Sequence, residues 1–198
     1  MSSGGTTRVV VLPPVPALLP ANLGRVDPVA ELRKACREAV AWLTDGDAAG
    51  VTVLADPLDE AARRHGVEVP LGVRVARSLL DREFGFAAAP APGDRRLLVL
   101  ANGSGCRTEK APGHLDTRSF AFDERIEAAL AAGDAATLAG IDAGLGRELL
   151  AAGIEPLRRL GAARPAVESA ELLYADDPFG VRYWVATWLC GTATAEGA

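Results

Sequence analysis

The chain has 198 residues, 49% of them hydrophobic, with 26 acidic side chains against 21 basic and a net charge of −5. That suffices for one α/β domain with a buried core, and the absence of a Lys/Arg stripe argues against a nucleic-acid partner. No apolar run approaches the roughly 18 residues that cross a bilayer, which argues against a membrane partner.

Met1–Thr7 is small and polar with no basic leader, so a cytoplasmic protein is expected. Arg8–Leu12 reads as a central strand apolar on both faces, stopped by Pro13, Pro14 and Pro16. Asp27 is a candidate helix cap with Pro28 in the first turn. Val29, Leu32, Ala35, Cys36, Ala39, Val40 and Leu43 follow at helical spacing. After an Asp45–Gly50 turn, Val51–Leu54 reads as a second buried strand, the β-α-β order of a parallel sheet.

Asp56–His65 reads as a short exposed helix or loop, with His65 at a surface end. Leu71–Leu80 has helical spacing, and Ala87–Asp94 is a proline-rich link to a third strand, Arg96–Ala101. Helices are expected over Phe120–Ala132, Asp134–Ala139, Asp142–Ala152 and Ile154–Leu160. Asp134 and Asp142 would cap them, and Gly153 and Gly161 would stop them. The aromatic C-terminal stretch reads as two strands around an Asp-Asp-Pro-Phe-Gly turn. The expectation is one domain over 8–191, a three-layer α/β/α fold on a mainly parallel sheet, with flexible termini at 1–7 and 192–198.

Chemistry concentrates in "LLVLANGSGCRTEKAPGHLD", residues 97–116. A Gly-rich turn after a strand can present backbone N–H groups as an anion nest, which would make Asn102, Ser104, Arg107 and Lys110 substrate-binding. Cys106 beside Arg107 and near Lys110 is a candidate thiolate nucleophile or a small buried residue. His114 with Asp116 suits proton transfer, or Asp116 caps the next helix. Asp176 and Asp177, between Tyr174 and Tyr183–Trp184, either hold a ligand's cation or make an Asp-rich turn. Cys36, Cys190 and Trp188 read as core. Three widely spaced cysteines with no CxxC pair argue against disulfides and structural zinc. Phosphate-loop, dinucleotide, nucleophile-elbow and HExxH fingerprints are all absent.

The string "CRTEKAPGHLD", the alanine-rich block after it, "LLYADDPFGVRYWVATWL" and the opening "VLPPVPALLP" together resemble the actinobacterial branch of the class III extradiol dioxygenase B-subunit-like proteins. The resemblance runs from Arg8 to Leu189 and implies a three-layer α/β fold. Authentic dioxygenases of that family bind Fe(II) through two histidines and a glutamate and open catechol rings. Pro13, Pro14, Val15 and Pro16 stand where the first metal histidine belongs, and "ADPLDE" offers only carboxylates where the second belongs. No histidine stands near Ser104–Arg107, the place of the family's acid–base histidine.

The chain therefore reads as a divergent member with no metal site and no expected cofactor. Its expected activity is metal-independent tailoring of a small molecule in a specialised biosynthetic pathway. One reaction such residues could serve is an internal displacement or elimination expelling an anion held by Arg107 and the nest. The alternatives are a non-catalytic subunit pairing with a related chain, as a homo- or hetero-oligomer, and an atypical Fe(II) dioxygenase.

Overall fold

A computed structural model describes residues 6–22, 26–58, 60–81 and 95–191. Among these, five strands form one sheet in the order β2-β3-β1-β5-β4. β1 (Thr7–Leu12), β2 (Val51–Leu54) and β3 (Arg96–Leu100) are parallel, with Val10 opposite Leu98 and Val53 opposite the same residue. β4 (Ala166–Asp176) and β5 (Tyr183–Gly191) form a hairpin, and β5 runs antiparallel to β1. Four of the five strands thus share one direction, giving a mixed α/β fold with a mostly parallel sheet.

Strand alternation sorts the core into two clusters. Val10, Leu12, Leu98 and Leu100 pack with Leu32, Cys36, Ala39 and Leu43 of α1 (Ala30–Thr44) and with Val73 and Ala76 of α3 (Leu71–Leu80). Val9, Val11, Leu97 and Val99 pack with Ile126 and Leu130 of α4 (Arg118–Ala132) and Trp184 and Trp188 of β5. Leu138 of α5 (Ala135–Ala139) and Leu157 and Leu160 of α7 (Ile154–Ala162) complete that second cluster. The indole N–H of the fully buried Trp188 donates to the Leu130 carbonyl at 2.7 Å, so its one polar atom is satisfied.

Helix boundaries follow local hydrogen bonding and correct several sequence expectations. α1 starts at Ala30, two residues after Pro28, yet Asp27 still governs its entry by accepting from the Val29 amide and the Arg33 guanidinium. Arg33 also donates to the Ala17 and Leu18 carbonyls, tying the proline-rich turn after β1 to α1. α2 (Glu60–Arg64) is the short helix ending at the exposed His65. α4 begins at Arg118 rather than Phe120, because the Asp116 carboxylate takes the Arg118 amide. Asp134 and Asp142 cap α5 and α6 (Ala143–Glu148) as expected. α6 stops at Glu148 rather than Ala152, since Leu150 adopts φ +56° and the chain turns to bridge Ala152 to Asn102.

Gly161 is no stop: it lies inside α7, where a side chain would collide with the Ala135 carbonyl and the Ala139 amide of α5. Gly153 is the residue before α7 rather than the end of a preceding helix, and its φ is +74°. Thr7 already belongs to β1, so it is not part of a flexible terminus. The expectations for residues 1–5, the 87–94 link and the 192–198 tail fall outside the described residues.

Gly153 carries the tightest constraint. A Cβ there would strike the Leu100 carbonyl oxygen and the Ala101 backbone at the end of β3. Gly46 has a similar φ of +83° but open space around it. Gly46→Ala should therefore cost about 1 kcal/mol, the left-handed penalty alone, and Gly153→Ala more than about 3 kcal/mol. Paired urea unfolding checks this, and equal losses would contradict the packing argument.

Candidate functional site

β3 ends in Ala101, and the chain from Asn102 to Asp116 then folds against the β5 hairpin and the segment before α7. Five amides of the expected nest already have an acceptor within the protein. The N–H groups of Asn102, Gly103, Gly105 and Arg107 donate to the carbonyls of Ala152, Arg182, Leu149 and Gly180. The Ser104 amide donates to Asp123 at 2.8 Å. These donors cannot also cradle an anion, so the nest expectation is corrected. Asn102 is buried, its side-chain amide turned onto the Gly103 carbonyl.

Arg107 is likewise committed. It pairs with Asp123 at 3.2 Å, forms a close ion pair with Asp177, and stacks over the Phe120 ring at 4.6 Å. Asp123, 1% exposed, also accepts from the Ser104 hydroxyl at 2.6 Å. Burial pushes the Asp123 pKa above its ordinary value, while the donors from Ser104 and Arg107 oppose the shift. The resulting knot joins the loop, α4 and the hairpin turn. Ser104, Arg107 and Asp177 belong to it as structural members rather than as a substrate cradle.

Cys106 is 2% exposed, and its thiol lies 3.4 Å from the Leu149 carbonyl. Burial, then the Asp116 and Asp123 carboxylates, push its pKa up, with Arg118 opposing. The flanking cation Arg107 is turned away onto carboxylates, and Cys106 packs as a small apolar residue. Asp116 makes a bidentate pair with Arg118, which holds its carboxyl below the usual range, and it caps α4. His114 is exposed at φ +59°, and Nδ1 lies 3.2 Å from the Glu109 carbonyl, so the two residues do not form a catalytic pair. Lys110 is exposed. Asp176 is exposed and accepts from the Asp177 amide. Burial and the Asp176 carboxylate push the Tyr174 hydroxyl up to about 12. The nine expected site residues therefore surround one loop and hairpin, and none of them lines the pocket described next.

A cavity does open nearby, at the carboxyl ends of β1, β2 and β3. A pocket of about 190 Å³ is lined by Pro14, Ala55, Asp56, Pro57, Leu58 and Ala62, with Pro70, Leu71, Gly72, Leu100 and Ala152 completing the wall. Ligand sites of open parallel sheets form at this end, where the connecting loops diverge. Asp56 is the one charged side chain among the described lining residues. Its Oδ2 accepts from the Gly153 amide at 2.6 Å, at the start of α7. Burial raises the Asp56 pKa; the Gly153 amide lowers it, Glu155 adds to the rise and Arg159 opposes it. A half-buried carboxyl whose pKa is raised by burial in an apolar pocket is a candidate for proton transfer.

The iron site implied by the family resemblance does not fit these residues. The β1 end presents Pro14, which has no side-chain donor, and the β2 end presents Asp56, already engaged by Gly153. Among the described residues, no three His, Cys, Asp or Glu side chains gather to hold a metal ion.

Two carboxylates at the centre of these arrangements, Asp56 and Asp123, were not singled out from the sequence. Asp123 had a usable signal: it shares the inward face of α4 with Ser119, Ile126 and Leu130, where a carboxylate requires a partner. Glu127, which receives the Arg182 guanidinium and the Trp184 indole N–H, was also missed. No protein-family model matches the chain, and no match is found among the curated proteins.

Arg107→Ala should destabilise the protein by about 3 kcal/mol at neutral pH, because it leaves the Asp123 charge buried without its cation. The loss should shrink as pH falls through the raised Asp123 pKa, since a protonated Asp123 needs no cation. Denaturant unfolding across pH 4–8 measures both, and a small loss independent of pH would contradict the knot.

Proposed function

We propose that the chain is a cytoplasmic, metal-independent enzyme acting on a small molecule held in the Asp56 pocket. It would be a divergent member of the extradiol dioxygenase B-subunit-like family on a three-layer α/β/α frame. The observation that carries this reading is a mostly apolar pocket at the carboxyl ends of three parallel strands, with Asp56 the single ionisable side chain among its described lining residues.

Asp56 supplies the chemistry that can be derived. The Gly153 amide holds one carboxylate oxygen and fixes its orientation, while aliphatic and proline side chains make the surrounding walls apolar. Burial sets its proton affinity above that of an exposed carboxyl, which suits abstraction or delivery of one proton at a bound substrate. Expulsion of an anion loses its support, because Arg107 and the loop amides are engaged internally.

Titration of single-ring compounds against ¹⁵N-labelled protein tests the location. Shifts should gather at Asp56, Gly72 and Gly153. For any compound turned over, Asp56→Asn should lower kcat by about 10²- to 10⁴-fold, the usual contribution of a general acid or base. Shifts confined to the loop from Arg107 to Asp116 would overturn the proposed site.

A further inference from the structure

Resting on the reading of this pocket as the ligand site, we infer that its ligand is a small apolar amine. One ring, or a branched group of that size, would fill the cavity and carry an aliphatic ammonium paired with Asp56.

Size sets the first limit. An apolar cavity of roughly 150 Å³ accommodates a benzene ring. The pocket measures about 190 Å³, room for one ring and a short substituent. Its walls are the side chains of Leu58, Leu71 and Leu100 with alanines and prolines, so the body of the ligand must be apolar.

The polar inventory of the wall sets the sign of charge. Pro14, Pro57 and Pro70 contribute carbonyl oxygens and no backbone N–H. Among the described lining residues no Lys, Arg or His appears, so no cationic side chain in the wall pairs with an anion. The one charged group is Asp56, half-buried and held at a single oxygen by the Gly153 amide. Arg159 of α7 acts on Asp56 from outside the wall, and no cation stands among the described lining residues, so a ligand that brings one into the cavity stabilises the carboxylate most. A neutral hydroxyl would donate one hydrogen bond without compensating the charge, and a carboxylate ligand would be repelled.

Calorimetric titration of the full chain with benzylamine, benzyl alcohol and benzoate separates these cases, with NMR shifts locating each ligand. Benzylamine should bind at least 10-fold more tightly than benzyl alcohol, and benzoate should not bind. Asp56→Asn should bring benzylamine down to the level of the alcohol while the thermal unfolding curve stays cooperative. Ala62→Phe, which fills the pocket from α2 and leaves Asp56 intact, should abolish binding of both. Equal affinity for amine and alcohol, with shifts at the pocket, would overturn the amine inference and leave the site standing. Absence of binding by all three, or benzylamine affinity unchanged in Ala62→Phe, would overturn the amine inference and the pocket reading together.

Discussion

One close approach organises the functional end of this molecule: Gly153 lies directly against the last carbonyl of β3. A side chain at that position would collide with Leu100 and Ala101, and the φ of +74° is one that glycine adopts without strain. The approach turns the Gly153 amide toward Asp56 at the end of β2, closing a 2.6 Å hydrogen bond across 97 residues of sequence. Two strand ends and the start of α7 are thereby fixed to one another. The pocket between them inherits its shape from that fixation, and Asp56 inherits its orientation. The same carboxylate also serves the start of α7, whose free amides favour negative charge. The structural role of Asp56 and the chemical role proposed for it therefore fall on one side chain.

The loop that follows β3 works by the opposite logic. It is dense in groups that elsewhere do chemistry, yet Ser104, Cys106 and Arg107 are satisfied from within. Carbonyls of Leu149, Ala152, Gly180 and Arg182 occupy its amides, and two carboxylates occupy Arg107. Such a network resists change, because removing one member leaves another buried without a partner. It anchors the β4–β5 hairpin to α4 and thus holds the antiparallel edge of the sheet onto its parallel half. Around it Leu115, Leu150 and Phe179 remain substantially exposed.

The architecture was largely legible from periodicity. Runs such as Val9–Leu12 and Leu97–Leu100 can only be strands buried on both faces, and the Asp-Asp-Pro-Phe-Gly turn marks its hairpin. Helix ends were less legible, because they depend on distant partners: Gly161 remains helical because it packs on α5, and α6 ends early because Asn102 captures Ala152. The candidate site was hardest. Residue type pointed to Cys106, Arg107 and His114, but only the three-dimensional arrangement shows that the first two are internally committed and the third faces solvent. Asp56 stood visibly at a strand end, yet nothing local to "ADPLDE" reveals that Gly153 would meet it. A contact across that separation has no signature in a single sequence.

The proposed role of Asp56 as the acid–base group of a ligand pocket is tested by its own titration. Carboxyl ¹³C resonances followed against pH, alone and with a pocket-sized amine, report the state of that one side chain. The account predicts a midpoint above the ordinary carboxylate range that falls when the ammonium occupies the pocket, since a cation favours the ionised form. An ordinary midpoint, unmoved by any pocket-sized compound, would contradict it.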